Sequence, residues 1–525
     1  MSAPNSSIGS WQSLLSRAMD WSSASTDLSV INCSFALAFC FLAYTLSSYN
    51  TNSKSADRVY ELPGSSLIHA WFFFYRRFDF IQKKFKESGG RPFRFKVLQH
   101  RIIAISGEKA RQAFFSEATL SLSQGYRILT GGSPDLKDLE LERISGKDLQ
   151  REVDETFVRK ILSLVRRDRI ADTLPSLLDD CEQLMNNWGI EGRLNPFEEI
   201  YLLVFQMTVR MATCRELAED KKAFKELANQ YWIIQNCSTP ISLLFPWFPS
   251  PMKKRKDKAT AALYGLLYSF VMLRRNSPRP STDPIDLLIA QGDSDENIVG
   301  TIMGVIFTGV INTGIISCWT LLYLSSNEEW KQKAEEEIRT MLDNHNLSGS
   351  AEPLHRRLAT IPLNVWEDEL PSVDLIIRET LRVVGAASII RRNVQDEVVV
   401  DGILIQRGDF LTYQVADAHM NSAIYTDPGK FDPSRYLEGR EEDKKETFSF
   451  LGWGVGRHPC AGMRMAKLEI KLVLSLFLLG YEYTLVDKSG KFPKTLPRPD
   501  RNDDLHSRPL GDPCYLQYRK RSEEW

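Results

Sequence analysis

The sequence has few of the residues that characterise metal-dependent hydrolases, disulfide-rich scaffolds or nucleic-acid-binding proteins. Its seven histidines form no HExxH motif and no close pair, which argues against a zinc hydrolase. Its eight cysteines include no CxxC pair and no regular spacing, so we expect no disulfide framework and a reducing compartment. Lys+Arg at 66 and Asp+Glu at 67 give a formal net charge of −1, which provides no basic field for a nucleic-acid partner.

The sequence also lacks internal repeats, low-complexity linkers and a dinucleotide-binding fingerprint. Hydrophobic residues make up 43% of its 525 residues, which is enough for a large core. Leu, Glu, Lys and Ala recur at helical spacing across residues 107–384. Short strands are predicted at residues 93–98 and 102–105, and a hairpin around an Asp-Gly turn at residues 398–405. We therefore expect one large, mainly α-helical domain with small β-sheets.

An uncharged stretch at residues 28–46 is close to the length needed to cross a bilayer as a helix. The alternative is a cleaved signal peptide, but the upstream basic residue Arg17 is distant and no A-x-A-like cleavage site follows. Lys54 and Arg58 follow the stretch, which favours a cytosolic location for the rest of the chain. We expect a lumenal segment at residues 1–27, a transmembrane anchor at 28–48 and a cytosolic domain at 49–525.

A second uncharged stretch covers residues 298–327 and is also long enough to span a membrane. It contains four glycines and the polar residues Thr308, Asn312 and Thr313, which favour a helix inside a protein core with a kinked or widened turn. A helix that is buried on all sides by its own domain is also apolar all round. The stretch by itself therefore leaves a membrane span and a core helix equally open.

A glycine-rich stretch at residues 450–462, FLGWGVGRHPCAG, places Cys460 just before a predicted helix. Its glycines would let the backbone fold tightly enough for amide N–H groups to point at the sulfur, and Gly462 would leave room for a flat ligand. The N-terminus of the following helix would favour a thiolate, which is a strong axial ligand for iron. Taken by itself, however, such a stretch is more often a tight turn with an inert cysteine.

Three further motifs accompany the cysteine stretch. They are a Glu-x-x-Arg sequence at Glu379 and Arg382, a Phe-Asp-Pro-Ser-Arg sequence ending at Arg435, and a Gly-Val-Ile-Asn-Thr sequence ending at Thr313. Together the four resemble the signature of the cytochrome P-450 superfamily, over essentially the whole chain. The resemblance implies the P-450 fold, mainly α with small β-sheets, preceded by one N-terminal transmembrane helix. It also implies haem b with an axial thiolate from Cys460, and a buried structural network of Glu379, Arg382 and Arg435.

The resemblance also implies further cofactor contacts on the cysteine side. Trp453 stands where the family usually has Phe and keeps an aromatic ring near the ligand. Residues 146–162 contain no Trp-x-x-x-Arg, the family's common propionate-binding motif, so the haem propionates need other cationic partners. The expected cofactor-binding residues are Cys460, Arg457, His458, Trp453, Gly454, Gly462, Arg391 and Arg392, with Cys460 as the metal ligand.

On the oxygen side, the resemblance implies that Thr313 and Asn312 are the catalytic residues. Most members of the family have Asp or Glu before this threonine, whereas this chain has Asn312. An amide cannot deliver a proton as a carboxyl can, so a relay would run through the Thr313 hydroxyl and water. The Asn-Thr pair is similar to that of the branch containing sterol hydroxylases and haem-thiolate isomerases.

The resemblance implies a monooxygenase that inserts one oxygen atom of O2 into a lipophilic small molecule, a terpenoid or related specialised metabolite. Electrons are expected from NADPH-cytochrome P-450 reductase, with cytochrome b5 as an alternative donor, at the endoplasmic reticulum membrane. Arg457, Arg464, Lys467, Lys444 and Lys445 form either a cationic docking face or an ordinary solvated surface. Two other functions stay open, a haem-thiolate isomerase or dehydratase that rearranges a peroxide, and a non-enzymatic membrane protein with two spans.

Overall fold

The computed structural model describes residues 59–130, 149–237, 248–277, 281–347, 352–503 and 506–522, without the side chains of residue 130 and residues 149–154. The predicted lumenal segment (1–27) and transmembrane anchor (28–48) lie outside the described residues. The domain that the sequence assigns to residues 49–525 is therefore described from Val59 onward.

Helices make up most of the described chain, as the spacing of its apolar residues predicts. Several begin at side-chain caps; the Asp220 carboxylate, for example, accepts a hydrogen bond from the Ala223 N–H at 3.0 Å. The helices are, in chain order, α1 (Ser66–Tyr75), α2 (Arg77–Glu87), α3 (Glu108–Ser116), α4 (Leu122–Thr130), α5 (Leu149–Leu164), α6 (Arg167–Met185), α7 (Pro196–Ala212), α8 (Arg215–Glu219), α9 (Lys221–Asn236), α10 (Pro251–Arg275), α11 (Pro284–Ala290), α12 (Asp295–Leu324), α13 (Glu328–His345), α14 (Leu354–Ala359), α15 (Leu363–Asp368), α16 (Pro371–Val384), α17 (Ala416–His419) and α18 (Met463–Gly480).

The strands in the described part of the chain form three small sheets. Their order is β1-β2-β3-β9-β6-β4 in a six-stranded sheet and β10-β11-β5 in a three-stranded sheet, while β7 and β8 form a separate hairpin. The strands are β1 (Tyr60–Glu61), β2 (Phe93–Val97), β3 (His100–Ile105), β4 (Leu120–Ser121), β5 (Glu191–Leu194), β6 (Ser388–Asn393), β7 (Val398–Val400), β8 (Ile403–Ile405), β9 (Phe410–Gln414), β10 (Tyr481–Val486) and β11 (Tyr515–Lys520). Mainly helical architecture with small sheets is thus confirmed.

Both predicted strand pairs are present. The first pairs β2 with β3 in antiparallel register and places Val97 opposite His100, so the second strand begins two residues before the predicted start. The second pairs β7 with β8. Its turn has φ of 47° at Asp401 and 72° at Gly402, the positive angles that an Asp-Gly hairpin turn requires.

The six-stranded sheet is buried on both faces. Along β3, Ile103 and Ile105 belong to one hydrophobic cluster, whereas Ile102 and Ala104 belong to a second cluster on the opposite face. Successive side chains of a strand point to opposite faces, so an unbroken apolar run is what two buried faces require. This buried sheet also carries β6, whose Arg391 lies near the cysteine loop.

The long apolar helix α12 lies in the interior of the domain. It runs from Asp295 to Leu324. Ser294 caps its N-terminus, because the Ser294 hydroxyl accepts a hydrogen bond from the Asn297 N–H at 3.3 Å. It is long and apolar enough to cross a membrane, but half of its most apolar window is buried within the protein. It packs against α7, α10, α16 and α18. These contacts favour the core helix over the second membrane span.

Glycines on α12 allow neighbouring helices to approach closely. A Cβ at Gly304 would lie 2.8 Å from the Phe157 ring of α5, and a Cβ at Gly314 would lie 2.9 Å from the Tyr201 ring of α7. Real Cβ atoms do not tolerate such distances, so a side chain at either position would displace a packed aromatic ring. Gly304 and Gly314 of α12 thus serve interhelical packing.

The substitution Gly314→Ala should lower the free energy of unfolding by about 1–3 kcal/mol because the new methyl group overpacks the interface with Tyr201. The same substitution at Gly300, where a Cβ would meet no atom within 4 Å, should raise it by up to about 1 kcal/mol through helix propensity. Denaturant unfolding of the two variants measures this contrast. Equal effects at both positions would contradict the packing role.

Candidate functional site

The loop that carries Cys460 is folded back on itself by short backbone hydrogen bonds. The Cys460 N–H donates to the Trp453 carbonyl at 2.7 Å, and the Gly454 N–H donates to the Leu451 carbonyl at 3.0 Å. Gly454 has φ of 69°, and a Cβ there would lie 2.5 Å from the His458 carbonyl oxygen. Only glycine fits this position, so the loop geometry follows directly from the sequence.

The same loop is fixed to the end of helix α3. Gly456 has φ of 64°, and a Cβ there would lie 2.4 Å from the Phe115 carbonyl oxygen. The Arg457 N–H donates a hydrogen bond to that carbonyl at 3.3 Å. Close approach at Gly456 therefore holds the loop against α3 at a fixed position.

Cys460 is the exposed cysteine among the six in the ranges that the structure describes; the other five are buried. Although its side chain is exposed, the surrounding loop removes enough water to raise the pKa of the thiol, and a hydrogen bond from the Gly462 N–H opposes that rise. Gly462 adjoins open space, because a Cβ there would meet no atom within 4 Å. The sulfur thus sits on a rigid loop beside room for a ligand, at the start of α18.

The catalytic pair predicted from the sequence lies on α12, which packs against α18. Thr313 is buried, whereas Asn312 and Thr308 are exposed on one face of the helix, one turn apart. The Asn312 amide donates to the Thr308 carbonyl at 3.2 Å, and the Thr308 hydroxyl donates to the Gly304 carbonyl at 2.7 Å. An ionised Asp could not donate as Asn312 does, so the amide has a structural partner that the usual carboxylate would lack.

The structure brings Glu379, Arg382 and Arg435 together as the sequence predicts. Their side chains are 0% exposed, and Glu379 accepts from Arg382 at 2.7 Å and from Arg435 at 2.9 Å. The Tyr436 hydroxyl also donates to Glu379 at 2.9 Å. Arg435 further pairs with Glu442 at 2.6 Å. Each buried charge is therefore matched by an opposite charge and by hydrogen bonds, as burial of ions requires.

Glu442 and Tyr436 belong to this network as well, although the sequence did not predict either of them. Glu442 occurs in the run EGREEDKK, where it is indistinguishable from solvent-exposed charges. Its burial depends on the 3₁₀ turn Glu442–Lys444 that folds against Arg435. Tyr436 directly follows Arg435 in the sequence, and its hydroxyl can donate a hydrogen bond. That position was the available sequence signal for Tyr436.

The two candidate propionate-binding arginines of β6 lie in different surroundings. Arg391 is buried, donates to the Phe114 carbonyl at 2.6 Å, and pairs with no carboxylate among the described residues. Its Nε has no hydrogen-bond partner there. Burial lowers the pKa of Arg391 to about 10, a shift that nearby Tyr126 opposes and Arg457 strengthens. A buried arginine next to a second cation, without an acid, fits the anionic propionates of a haem.

Arg392 extends to the opposite side of β6, as strand geometry requires. Its Nε donates to the Gly408 carbonyl at 3.2 Å, and its guanidinium lies 4.8 Å from the centre of the Phe410 ring. The structure therefore does not bring Arg392 together with Arg391 and the cysteine loop. His458 and Arg457 are both exposed on that loop, whose Trp453 is half-buried.

The candidate docking face is largely neutralised by local acids. Arg464 pairs with Glu367 at 2.9 Å and Lys467 pairs with Asp374 at 3.1 Å. Lys444 pairs with a neighbouring glutamate, and Lys445 donates to a backbone carbonyl. Much of the cluster therefore behaves as an ordinary paired surface, and Arg457 and Lys445 are its members that form no ion pair among the described residues.

Residues 167–501 match the sequence model of the family described as Cytochrome P450. The chain is 30% identical to the cytochrome P450 monooxygenase nsrP of Aspergillus novofumigatus over 412 residues, which cover 77% of this chain and 79% of that protein. It is 29% identical to the monooxygenase AacuE of Aspergillus aculeatus, with 91% and 97% covered. It is 24% identical to a sterol 14alpha-demethylase of Mycolicibacterium vanbaalenii, with 84% and 93% covered. Cyanobacterial CYP120A1 with bound retinoic acid has a similar fold, with a TM-score of 0.67 at 18% identity and coverage of 86% and 96%.

The substitution Glu379→Gln should lower the free energy of unfolding by about 3–5 kcal/mol, because Arg382 would remain buried without a counter-charge and Arg435 would keep only Glu442. The control Glu329→Gln removes an exposed partner of Lys333 and should leave stability unchanged within experimental error. Denaturant unfolding compares the two. A small effect at Glu379 would show that the network carries little of the stability.

Stability should fall as the pH drops from about 4.5 towards about 2. Burial opposes ionisation, but hydrogen bonds from Arg440 and the Thr426 N–H, together with Arg435, lower the pKa of Glu442 from 4.5 to about 2. The unfolded chain therefore binds protons first, and the stabilisation present above pH 4.5 is lost below it. In Glu442→Gln, denaturation midpoints measured across this range should fall less steeply than in the wild type; identical slopes would contradict the assignment.

Proposed function

Because this chain belongs to the cytochrome P450 family, we propose that it uses a haem held by Cys460 to insert one oxygen atom of O2 into a lipophilic small molecule. Monooxygenases of this family hold haem b through an axial cysteine thiolate. The observation that carries the proposal for Cys460 is its position on a rigid glycine loop, exposed beside open space at Gly462. When bound, the haem supplies the electron-transfer and oxygen chemistry that side chains lack.

The chain's own residues would hold the group from two sides. Cys460 would donate its thiolate to the iron, and Trp453, Gly454 and Gly462 would form the surface next to it. Arg391, with Arg457 or His458 from the loop, would neutralise the propionates, because the buried Arg391 guanidinium has an unpaired Nε. Arg392 is the weaker candidate, since it donates to Gly408 on the other side of β6.

Thr313 and Asn312 would direct water and protons on the oxygen side. One Nδ2 hydrogen of Asn312 is used in its bond to the Thr308 carbonyl, which leaves the other Nδ2 hydrogen and the amide oxygen to bind water. Proton donation would then come from the Thr313 hydroxyl and the water it binds. In this proposal Asn312 orients water and does not act as an acid.

The substrate class that we propose is a terpenoid or a related specialised metabolite with a hydrophobic skeleton. Two aromatic rings meet where α9 approaches α12, with the Tyr231 and Phe307 ring centroids 5.0 Å apart. Apolar walls of this kind suit a lipophilic ligand. The 24% identity to a sterol 14alpha-demethylase supports a bulky, mostly apolar substrate by analogy.

We further propose a single-pass protein of the endoplasmic reticulum membrane, with residues 28–48 as anchor and residues 49–525 as the cytosolic catalytic domain. Helix α1 supports contact with a membrane, because Trp71, Phe72 and Tyr75 are exposed on it. Electrons would come from NADPH-cytochrome P-450 reductase, or from cytochrome b5. Since Arg464 and Lys467 are paired internally, docking of the donor would depend more on Arg457 than the sequence suggested.

A second candidate function is a haem-thiolate isomerase or dehydratase that rearranges a peroxide. The observation in its favour is the Asn312 amide, which is bonded to the helix backbone and offers no acidic proton. Such an enzyme would need neither NADPH nor O2. Consumption of both with product formation supports the monooxygenase, whereas turnover of a peroxide without either would favour the isomerase.

The substitution Cys460→Ala should abolish the red-shifted absorption band of the reduced, carbon monoxide-bound protein, together with NADPH- and O2-dependent product formation, because the iron loses its thiolate. The control Cys514→Ala removes a buried cysteine and should leave both unchanged. Survival of the band in Cys460→Ala would overturn the assignment of the ligand.

A further inference from the structure

A buried histidine connects the carboxylate–arginine network to the cysteine loop. His419 is the last residue of the short helix α17 and is 0% exposed. Its backbone carbonyl accepts a hydrogen bond from Arg382 Nη1 at 2.6 Å. Its ring stacks on the ring of Phe450 at 5.7 Å between centroids, with an interplanar angle of 22°. The residue therefore touches both the network and the start of the loop.

Both ring nitrogens of His419 have backbone partners. The Leu451 N–H donates to Nε2 at 2.9 Å, so Nε2 must carry a lone pair. The hydrogen then resides on Nδ1, which donates to the Gly385 carbonyl at 3.0 Å. The imidazole is neutral in this arrangement, because a proton on Nε2 would face the Leu451 N–H.

The two backbone partners of the His419 ring lie at the end of the helix that carries Glu379 and Arg382 and at the beginning of the cysteine loop. Gly385 follows the last residue of α16, the helix that carries Glu379 and Arg382. Leu451 begins the cysteine loop, and its carbonyl accepts from the Gly454 N–H at 3.0 Å. Gly385 has no space for a side chain, since a Cβ there would lie 2.5 Å from the Leu381 carbonyl oxygen. The contacts thus run continuously from α16 through the imidazole to the loop.

We propose that His419 is a positioning residue that sets the place of the Cys460 loop relative to the Glu379–Arg382–Arg435 network, through a neutral imidazole bonded to Gly385 and Leu451. The inference rests on the proposed function in taking Cys460 as the haem ligand. Burial, and secondarily Arg382, lowers the pKa of His419 to about 3, which keeps the required neutral form at physiological pH. An apolar residue of similar size would fill the space but leave the Leu451 N–H without an acceptor.

The test compares full-length His419→Leu, His419→Gln and a control, His69→Leu. His69 is also buried and bonded to a backbone carbonyl, Pro63 at 3.2 Å, but lies on α1. Two measurements are made on each protein. One is amide hydrogen exchange of the loop peptide containing Leu451, relative to a peptide of α12, without added haem. The other is the fraction of haem that gives the red-shifted thiolate band after reduction and addition of carbon monoxide.

In His419→Leu, relative exchange in the loop should rise about tenfold, the effect expected when a buried donor loses its acceptor, and the thiolate fraction should fall. His419→Gln should recover part of the loop's protection from exchange and part of the thiolate fraction, because an amide can accept from one backbone group and donate to another. His69→Leu should change neither. Because exchange in the loop peptide is expressed relative to exchange in the α12 peptide, a general loss of stability would raise exchange in both peptides and leave their ratio unchanged.

Unchanged loop exchange and an unchanged thiolate fraction in His419→Leu would overturn the proposal, as would effects equal to those of His69→Leu. Absence of the thiolate band in the wild type would instead refute the proposed function. In that case a selective rise of loop exchange in His419→Leu would still support the positioning of the loop, so the two failures are distinguishable.

Discussion

Glu379 is a carboxylate without access to water, and the arrangement around it constrains the half of the domain that holds the cysteine. Arg382 and Arg435 both donate to it, and each also donates to the Lys430 carbonyl. Buried charges are tolerated only when their hydrogen bonds are complete, so a partly formed version of this network is costly. Helix α16 and the irregular segment that contains Arg435 are therefore held in one relative position.

The position of the cysteine loop is set by contacts with His419, which is bonded to this network, and with the end of α3. On one side, His419 bonds to Leu451 at the beginning of the loop. On the other side, Gly456 and Arg457 lie against the Phe115 carbonyl at the end of α3. The loop is thus fixed at its beginning and near its middle by contacts within the protein, which suits a ligand whose sulfur must meet a metal at a set distance.

Helix α12 forms the side of the site opposite the cysteine, and different interactions hold it in place. Its glycines let Phe157 and Tyr201 pack closely, so the helix is held by van der Waals contacts and carries few charges. Its polar groups are used mainly along the helix itself, as in the bond from Asn312 to the Thr308 carbonyl. A monooxygenase with this helix would rely on hydroxyl groups and water for protons, which is why Asn312 is the residue that most separates the two candidate functions.

The features that the sequence predicted by itself are those governed by local geometry. The β7–β8 hairpin follows from an Asp-Gly turn that needs positive φ, and the cysteine loop follows from glycines at Gly454 and Gly456 that admit no Cβ. The four motifs were sufficient to identify the family, because each records a local backbone shape or a fixed spacing along a helix.

Only the tertiary structure decided that α12 is a core helix, because a helix buried by protein and one buried by lipid have the same apolar pattern. It also decided that the adjacent Arg391 and Arg392 have different surroundings, and that Arg464 and Lys467 are paired. The physical reason is common to all three. Burial and charge pairing depend on segments that are distant along the chain, whereas the sequence pattern of a segment records its own conformational preference.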